Sequence, residues 1–157
     1  MEGMPRRVTV RGLIIKDNTV FAVRHKHDYN TTNSFWCTPG GGLDDKETLH
    51  DGVTRELIEE TGVTPQIGKL LIIQQFPLTP PHIDTGNDEI LEFFFHIENA
   101  EDYETIDLDA TTHGAVEIAE YGFVDPTKVD FLPVVLKTLN LAALVTKNSP
   151  VVITSEL

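Results

Sequence analysis

Three glutamates stand close together in the segment RELIEETG, residues 55–62. Glu56, Glu59 and Glu60 have the spacing i, i+3 and i+4, so on a helix their carboxylates leave neighbouring positions of one surface. Like charges at this spacing destabilise a helix by about 0.2–0.5 kcal/mol per pair, which indicates that they serve to hold a cation. Carboxylates joined by a backbone carbonyl are hard oxygen ligands that suit Mg²⁺ or Mn²⁺. The cluster therefore predicts metal-assisted phosphate chemistry.

The residues around the cluster carry a longer pattern. Gly41 is followed by Glu47 after five residues and, after seven more, by the run RELIEETGV, residues 55–63. This spacing resembles the Nudix box, G-x5-E-x7-R-E-U-x-E-E-x-G-U with U aliphatic, and every fixed position matches. The preceding WCTPGG, residues 36–41, is similar to the approach segment of that family. The flanking pattern fits the family over roughly residues 8–147.

The resemblance implies an α/β fold in which a mixed β-sheet lies between helices, an α/β/α sandwich with the box as loop–helix–loop. We expect one domain over residues 1–157, with a core at about 7–147 and a tail at 148–157. The alternation and turn residues predict strands at 7–16, 19–25, 67–76, 90–97 and 116–124. Helices are expected from about Asp45, with Asp44 as N-cap and Gly62 as stop, and over 131–145. The tail either frays or adds a strand to a sheet edge.

The family resemblance also assigns roles within the box. It implies that Glu56 and Glu60 are the primary ligands of Mg²⁺, with Mn²⁺ as the alternative ion. Glu59 is a further ligand or organises the attacking water, and the carbonyl of Gly41 completes the coordination. Arg55 orients the catalytic glutamates.

The residues expected to support the metal ligands and to act as general base are assigned less specifically than the ligands themselves. Glu47 supports the network around Arg55. The general base is expected in the loop before the late strand, where Glu117 is preferred over Glu120 and over Glu92 on an earlier strand. In some family members a box glutamate is the base instead.

Several other side chains are candidates for contact with substrate. Arg24 and, more weakly, Arg11 are expected to bind phosphate or base. His25 and His27 look like a metal pair, but alternate strand residues point to opposite faces, so we expect surface histidines. Trp36 is expected to be structural rather than to stack on a base.

Composition limits the classes of partner. The chain has a formal charge of −13, which argues against a nucleic-acid polymer but not against a small nucleotide. No apolar run reaches the length of a membrane span, and no signal peptide is evident, so we expect a cytoplasmic protein without a membrane partner. The single cysteine, Cys37, excludes an internal disulfide and is expected to pack rather than react.

The resemblance implies Mg²⁺-dependent hydrolysis of a pyrophosphate bond in a nucleoside diphosphate linked to another group. An ordinary or modified nucleoside triphosphate is the preferred substrate, and ADP-ribose is the alternative. A non-catalytic nucleotide-binding module and an isomerase on the same scaffold are the rivals from other classes. The specificity loops are expected at 26–34, 77–88 and 98–114, and a homodimer is compatible with the family.

Overall fold

The computed structural model describes residues 6–26, 32–77 and 89–155. Its described strands form two five-stranded sheets. The first sheet has the order β10 (Val152–Ser155), β6 (Ile67–Pro77), β7 (Glu89–Ile97), β1 (Arg6–Leu13) and β5 (Gly40–Gly42). The second has the order β2 (Ile15–Lys16), β3 (Thr19–His25), β4 (Trp36–Cys37) and β9 (Phe131–Leu132), with β8 (Ile118–Val124) paired to β3.

The first sheet is mixed, as predicted. Strand β1 runs parallel to β7, with Val10 opposite Phe93, and antiparallel to β5, with Val10 opposite Gly41. The glycine segment of the box is therefore an edge strand, held at the side of the sheet by β1. This pairing sets the position of the loop that leads into the box helix.

The predicted strand at 7–16 divides between the two sheets. Strand β1 ends at Leu13 and β2 begins at Ile15, while Ile14 between them is completely buried. The expected hairpin follows, because β2 pairs with β3 across the turn at Asp17-Asn18. Asp17 adopts a left-handed φ of 55°, a conformation that aspartate tolerates better than most residues.

Both faces of the sheets are buried, which gives the expected layering. On β3, Phe21 and Val23 pack in one core and Val20 and Ala22 in the other, as the alternation of a strand requires. The box helix α1 (Leu49–Thr61) covers the first core with Val53 and Leu57. The second core lies under the C-terminal segment and includes Phe131, Leu136, Leu141 and Leu144.

The predicted start of the box helix is wrong by several residues. The N-cap is Thr48, whose side chain accepts a hydrogen bond from the Asp51 amide at 3.1 Å, and not Asp44. Asp44 and Glu47 form a turn instead, with the Asp44 amide donating to Glu47 Oε2 at 2.9 Å. Lys46 has a φ of 64°, which a right-handed helix cannot contain, so the helix begins only after it. The predicted stop is confirmed, because Gly62 closes α1 with a φ of 76°.

The helix predicted over 131–145 is also wrong. This segment contains β9, a 3-10 turn at Val134–Lys137 and the short helix α3 (Leu141–Leu144). Pro133 has no amide hydrogen and interrupts the apolar pattern, while Asn140 caps α3 by accepting from the Ala143 amide at 3.2 Å. The segment still buries its apolar residues, although in separate short pieces.

The predictions for the tail and for the late strand agree in part with the structure. The tail adds β10 parallel to β6, with Val152 opposite Ile72, so the sheet-edge alternative is confirmed. The strand expected at 116–124 begins at Ile118, preceded by one helical turn, α2 (Gly114–Glu117). Residues 27–31 and 78–88, which include His27 and most of two expected loops, lie outside the described residues.

The longest helix in the described ranges is α1, with 13 residues. None of the helices there combines the length and apolar character needed to cross a bilayer.

Candidate functional site

Arg55 organises the acidic side chains of the box. Its guanidinium donates to Glu47 Oε1 and Oε2 at 2.8 and 3.0 Å, to Glu56 Oε1 at 2.9 Å and to Glu59 Oε2 at 3.2 Å. It also donates to the Gly42 carbonyl at 3.0 Å, which joins the helix to the glycine strand. The hydrogen bond from Arg55 lowers the pKa of Glu47. The expected network around Arg55 is thus present in the structure.

The glycine strand approaches the helix so closely that side chains are excluded. A Cβ on Gly41 would lie 2.6 Å from Glu56 Oε2, and a Cβ on Gly40 would collide with the Val10 carbonyl oxygen. Gly40 also has a φ of 141°, which glycine adopts far more readily than other residues. These glycines allow the Glu56 carboxylate to lie directly against the backbone of the loop.

Glu60 is almost completely buried. Its side chain lies on the same helix face as Val53 and Leu57, and the residue is only 2% exposed. The Gly40 amide donates to its Oε2 at 3.1 Å, but no basic side chain of residues 6–26, 32–77 and 89–155 forms an ion pair with it. Burial raises the pKa of Glu60 to about 8, against the charge of Arg11 and the Gly40 hydrogen bond, which lower it; Glu56 and Glu117 raise it further. Burial likewise raises the pKa of Glu56.

The donor set fits a hard divalent cation by its chemistry. It consists of carboxylates on one helix and peptide carbonyls of a strand that carries no side chains at Gly40 and Gly41. Within the described ranges, however, no three acidic, histidine or cysteine side chains already converge as a metal cluster. Glu56 and Glu59 are instead bound to Arg55. Arg55 binds one oxygen of each carboxylate, Glu56 Oε1 and Glu59 Oε2, so a cation would use the second oxygen of each.

The three candidates for general base have different surroundings. Glu117 is exposed at the end of α2, and its charge acts on both Glu60 and His25. Glu120 instead forms an ion pair with Arg24 at 2.8 Å. Glu92 is 6% exposed and accepts from Thr9 Oγ1 at 2.8 Å and from Arg11 Nε at 2.9 Å. Of the three, Glu117 is the exposed carboxylate whose charge acts on Glu60.

Comparison with known proteins decides the family. The NUDIX domain model matches residues 5–141, which is most of the chain. The chain belongs to the NUDIX domain family. The prediction of this family and of its α/β fold is confirmed, and divalent-metal dependence and small nucleotide-derived substrates are general in Nudix hydrolases.

Three relatives illustrate the range of similarity. An ADP-ribose pyrophosphatase of Methanocaldococcus jannaschii is 35% identical over 74 residues, which is 47% of this chain and only 43% of that protein. An RNA pyrophosphohydrolase of Novosphingobium aromaticivorans is 28% identical over 148 residues, covering 86% of this chain and 87% of the relative. The crystal structure of a MutT protein from Methanosarcina mazei Go1 is 26% identical, with a TM-score of 0.59 and 82% of each chain covered.

The two arginines expected to bind substrate lie in different places. Arg24 pairs with Glu120, donates from Nε to the Asn33 carbonyl at 3.0 Å and stacks 5.8 Å from the centre of the Trp36 ring. Arg11 lines a cavity between the two sheets, although Glu92 occupies one side of its guanidinium. Arg11 also donates to the carbonyls of Thr38 and Gly40, at 3.3 and 3.1 Å, and so supports the glycine strand of the Nudix box.

Two histidines near the Nudix box have contacts that the sequence did not predict. His113 Nδ1 lies 3.0 Å from Glu59 Oε2, and the His113 amide donates to the Glu59 carbonyl at 3.0 Å. The contact became possible because Gly114 lets this loop approach the end of α1. His25 is half-buried and lines the cavity, so the expectation of a surface histidine is wrong for this residue. Burial and the charge of Arg11 lower the pKa of His25.

Cys37 also lines the cavity, next to the approach segment of the box. Its sulfur donates weakly to the Val23 carbonyl at 3.7 Å. Burial raises the pKa of the thiol to about 11, so the reactive thiolate is scarce at neutral pH. These contacts agree with the expected packing role and not with that of a nucleophile.

Proposed function

We propose that this chain hydrolyses a pyrophosphate bond in a nucleoside diphosphate linked to another group, with Mg²⁺ as the preferred ion. A nucleoside triphosphate, ordinary or modified, is the preferred substrate. The proposal depends on one observation above all, the burial of Glu60 without an ion pair in the described part of the chain. A buried carboxyl destabilises a fold unless a cation or hydrogen bonds compensate for its desolvation, and a divalent ion supplies that compensation.

The proposed ligands are Glu56, Glu60, Glu59 and the carbonyl of Gly41. Their positions agree with this role, since Glu56 lies against Gly41 and Glu60 accepts from the adjacent Gly40. When bound, Mg²⁺ would neutralise phosphate charge and acidify water. Mn²⁺ is the alternative ion, because it prefers similar oxygen ligands.

The protein side chains position the reacting groups. Arg55 holds Glu56 and Glu59 on one side of its guanidinium and Glu47 on the other, which restricts the rotamers of both box carboxylates. Such positioning is the main contribution of a protein to phosphoryl transfer. Glu59 Oε2 contacts both Arg55 and His113. These two contacts fix the direction of Glu59 Oε1, the oxygen of the same carboxylate that they leave free.

We propose Glu117 as the general base. It is exposed, and its charge acts on Glu60 at the inner end of the same site. Its amide and carbonyl are held by α2 and by the Lys26 amide, which donates to the Glu117 carbonyl at 2.8 Å. Glu120 is a weaker candidate, because Arg24 already binds its carboxylate.

Two further substrates compete with a free nucleoside triphosphate. ADP-ribose is the alternative suggested by one relative, although the aligned segment is less than half of that protein. The 5′ end of RNA is suggested by the relative that aligns over 86% of this chain. The formal charge of −13 disfavours contacts along an RNA backbone, so we prefer the free nucleotide.

The experiment is a substrate panel with products identified by mass. It contains the four nucleoside triphosphates, ADP-ribose, NADH, a dinucleoside polyphosphate and a 5′-triphosphorylated RNA oligonucleotide, each with Mg²⁺ and with EDTA. We expect Mg²⁺-dependent release of a nucleoside monophosphate. If no member of the panel is cleaved with Mg²⁺ or Mn²⁺, the proposal of a hydrolase is wrong and the binding module is preferred.

Matched variants connect the activity to the site. We expect Glu117→Gln to lower turnover by about 10²-fold or more, the usual contribution of a general base. Glu120→Gln removes a carboxylate from the same strand region but outside the proposed site, so it should retain nearly full turnover. Wild-type turnover of Glu117→Gln would exclude Glu117 as the base.

A further inference from the structure

His113 contacts the box helix through both its side chain and its backbone. Its Nδ1 lies 3.0 Å from Glu59 Oε2, and its amide donates to the Glu59 carbonyl at 3.0 Å. That carbonyl belongs to the last turn of α1, where helix carbonyls have no intrahelical amide as partner. The loop residue His113 therefore binds both the carboxylate and the backbone of Glu59.

The loop around His113 is held against the end of α1 by its backbone. A Cβ on Gly114 would lie 2.1 Å from the Glu60 carbonyl oxygen, so the close approach depends on glycine at this position. Thr111 Oγ1 accepts from the Ala115 amide at 3.0 Å, which ties the two sides of the loop together. These contacts do not involve the imidazole, so the loop can stay in place when the His113 side chain is changed.

His113 also begins the helical turn that carries the proposed general base. Its carbonyl accepts from the Glu117 amide at 2.9 Å, across the turn α2. At the other end of this turn, the Glu117 carbonyl accepts from the Lys26 amide at 2.8 Å. His113 thus connects Glu59 on the box helix with Glu117 on the neighbouring loop.

The imidazole acts on the oxygen of Glu59 that Arg55 also binds. A carboxylate only accepts hydrogen bonds, so the Nδ1–H of His113 is the donor. Arg55 Nη1 donates to the same Oε2 at 3.2 Å. Two donors on Oε2 restrict rotation of the carboxylate, and Oε1 is left for a cation or a water molecule. Groups that orient a metal ligand in this way typically contribute about 10–100-fold to metal affinity or activity.

We propose that His113 is a positioning residue that holds the Glu59 carboxylate in register with the proposed metal site and with Glu117. This inference rests on the proposed function, because Glu59 and Glu117 take part in that reaction. His113 acts through Glu59 Oε2 and makes no contact with the substrate. Its side chain is 49% exposed, so its effect belongs at the lower end of the usual range, about tenfold.

The first experiment compares two variants of His113 by steady-state kinetics. His113→Leu removes the donor, whereas His113→Asn places an amide N–H₂ where Nδ1 stood. We expect the leucine variant to lower kcat about tenfold with KM within about twofold, and the asparagine variant to lose no more than about threefold. The control Val116→Ala changes a side chain of the same turn that is 72% exposed, and it should keep wild-type turnover.

The second experiment measures Mn²⁺ binding in the absence of substrate, from the electron paramagnetic resonance signal of the free ion. We expect His113→Leu to weaken binding by up to about tenfold and His113→Asn to stay within about threefold of the wild type. Glu59→Ala removes the carboxylate through which His113 acts. Adding His113→Leu to Glu59→Ala should therefore change Mn²⁺ affinity and kcat by less than about twofold.

Each outcome supports or overturns the inference. Wild-type kcat and Mn²⁺ affinity in His113→Leu overturn it, and so does equal impairment of the leucine and asparagine variants, which would indicate that the imidazole itself reacts. A full further loss on adding His113→Leu to Glu59→Ala also overturns it. If the leucine variant does not fold, His113→Ala gives the same comparison. If the wild type cleaves no substrate, the hydrolase is wrong, and the Mn²⁺ affinities alone decide the role of His113.

Discussion

Replacing Glu60 by glutamine tests a carboxyl that the fold buries without an ion pair to any basic side chain of the described residues. In the absence of metal, the folded chain retains the Glu60 proton up to about pH 8, because burial raises the pKa from its usual 4.5. The unfolded chain loses that proton near pH 4.5. The folded state therefore binds more protons between these values, and the free energy of unfolding falls as the pH rises through this window.

The size of this effect follows from the pKa shift. A rise in the pKa of Glu60 from 4.5 to about 8 lowers the free energy of unfolding by at most roughly 5 kcal/mol over the whole pH window. Within the window the change is about 1.4 kcal/mol per pH unit. Glutamine does not titrate, so Glu60→Gln lacks this slope. The amide can still accept from the Gly40 amide but buries an unpaired NH₂ group, which costs about 1–3 kcal/mol at every pH.

The assay is urea denaturation in EDTA at pH 6.0, 6.5, 7.0 and 7.5. We expect the stability of the wild type relative to Glu60→Gln to fall by about 2 kcal/mol from pH 6.0 to 7.5. His25 and His96, whose pKa values burial lowers, add slopes that cancel in this difference. The control Glu101→Gln removes an exposed carboxylate and should follow the wild type. Parallel curves for wild type and Glu60→Gln would refute the reasoning.

Four further predictions concern the proposed metal site and the end of its helix. Mg²⁺ should raise the melting temperature more at pH 8 than at pH 6, because it competes with the proton on Glu60; equal shifts would contradict this. Glu59→Gln should lower turnover by about 10²-fold or more at an unchanged melting temperature, and retained turnover would remove Glu59 from the mechanism. Glu56→Gln should raise the Mg²⁺ concentration for half-maximal activity, so an unaltered metal titration would count against it as a ligand. Gly62→Ala forces a Cβ into a φ of 76° and should cost about 1 kcal/mol in urea denaturation without altering that titration; an unchanged stability would contradict the strain.

The parts of the fold set by local patterns could be predicted from the sequence. Alternation gave the long strands, and Gly62 gave the end of the box helix, because few residues other than glycine tolerate its left-handed conformation. The box pattern also gave the contacts of Arg55 with Glu47, Glu56 and Glu59. These contacts are set by the helical spacing of Arg55, Glu56 and Glu59 and by the short turn that contains Glu47. They could therefore be predicted without knowing how distant parts of the chain pack.

The errors arose where distant residues or a single dihedral angle decided the structure. The positive φ of Lys46 delayed the helix beyond an otherwise acceptable capping pattern. The apolar spacing at 131–145 was satisfied by short pieces on either side of Pro133, a residue that the helical prediction passed over. The burial of Glu60 had a visible signal, since it lies three residues after Leu57 on the apolar stripe.

The cavity was beyond sequence reasoning, because its walls come from strands of both sheets. Arg11 shows how closely it is connected to the Nudix box: its guanidinium binds Glu92 in the cavity and the Thr38 and Gly40 carbonyls of the glycine strand. The Gly40 amide in turn donates to Glu60. The cavity and the buried carboxyl of the box helix are thus joined through a single peptide segment, residues 38–40. A change in the cavity that displaces Arg11 must therefore also alter the environment of Glu60.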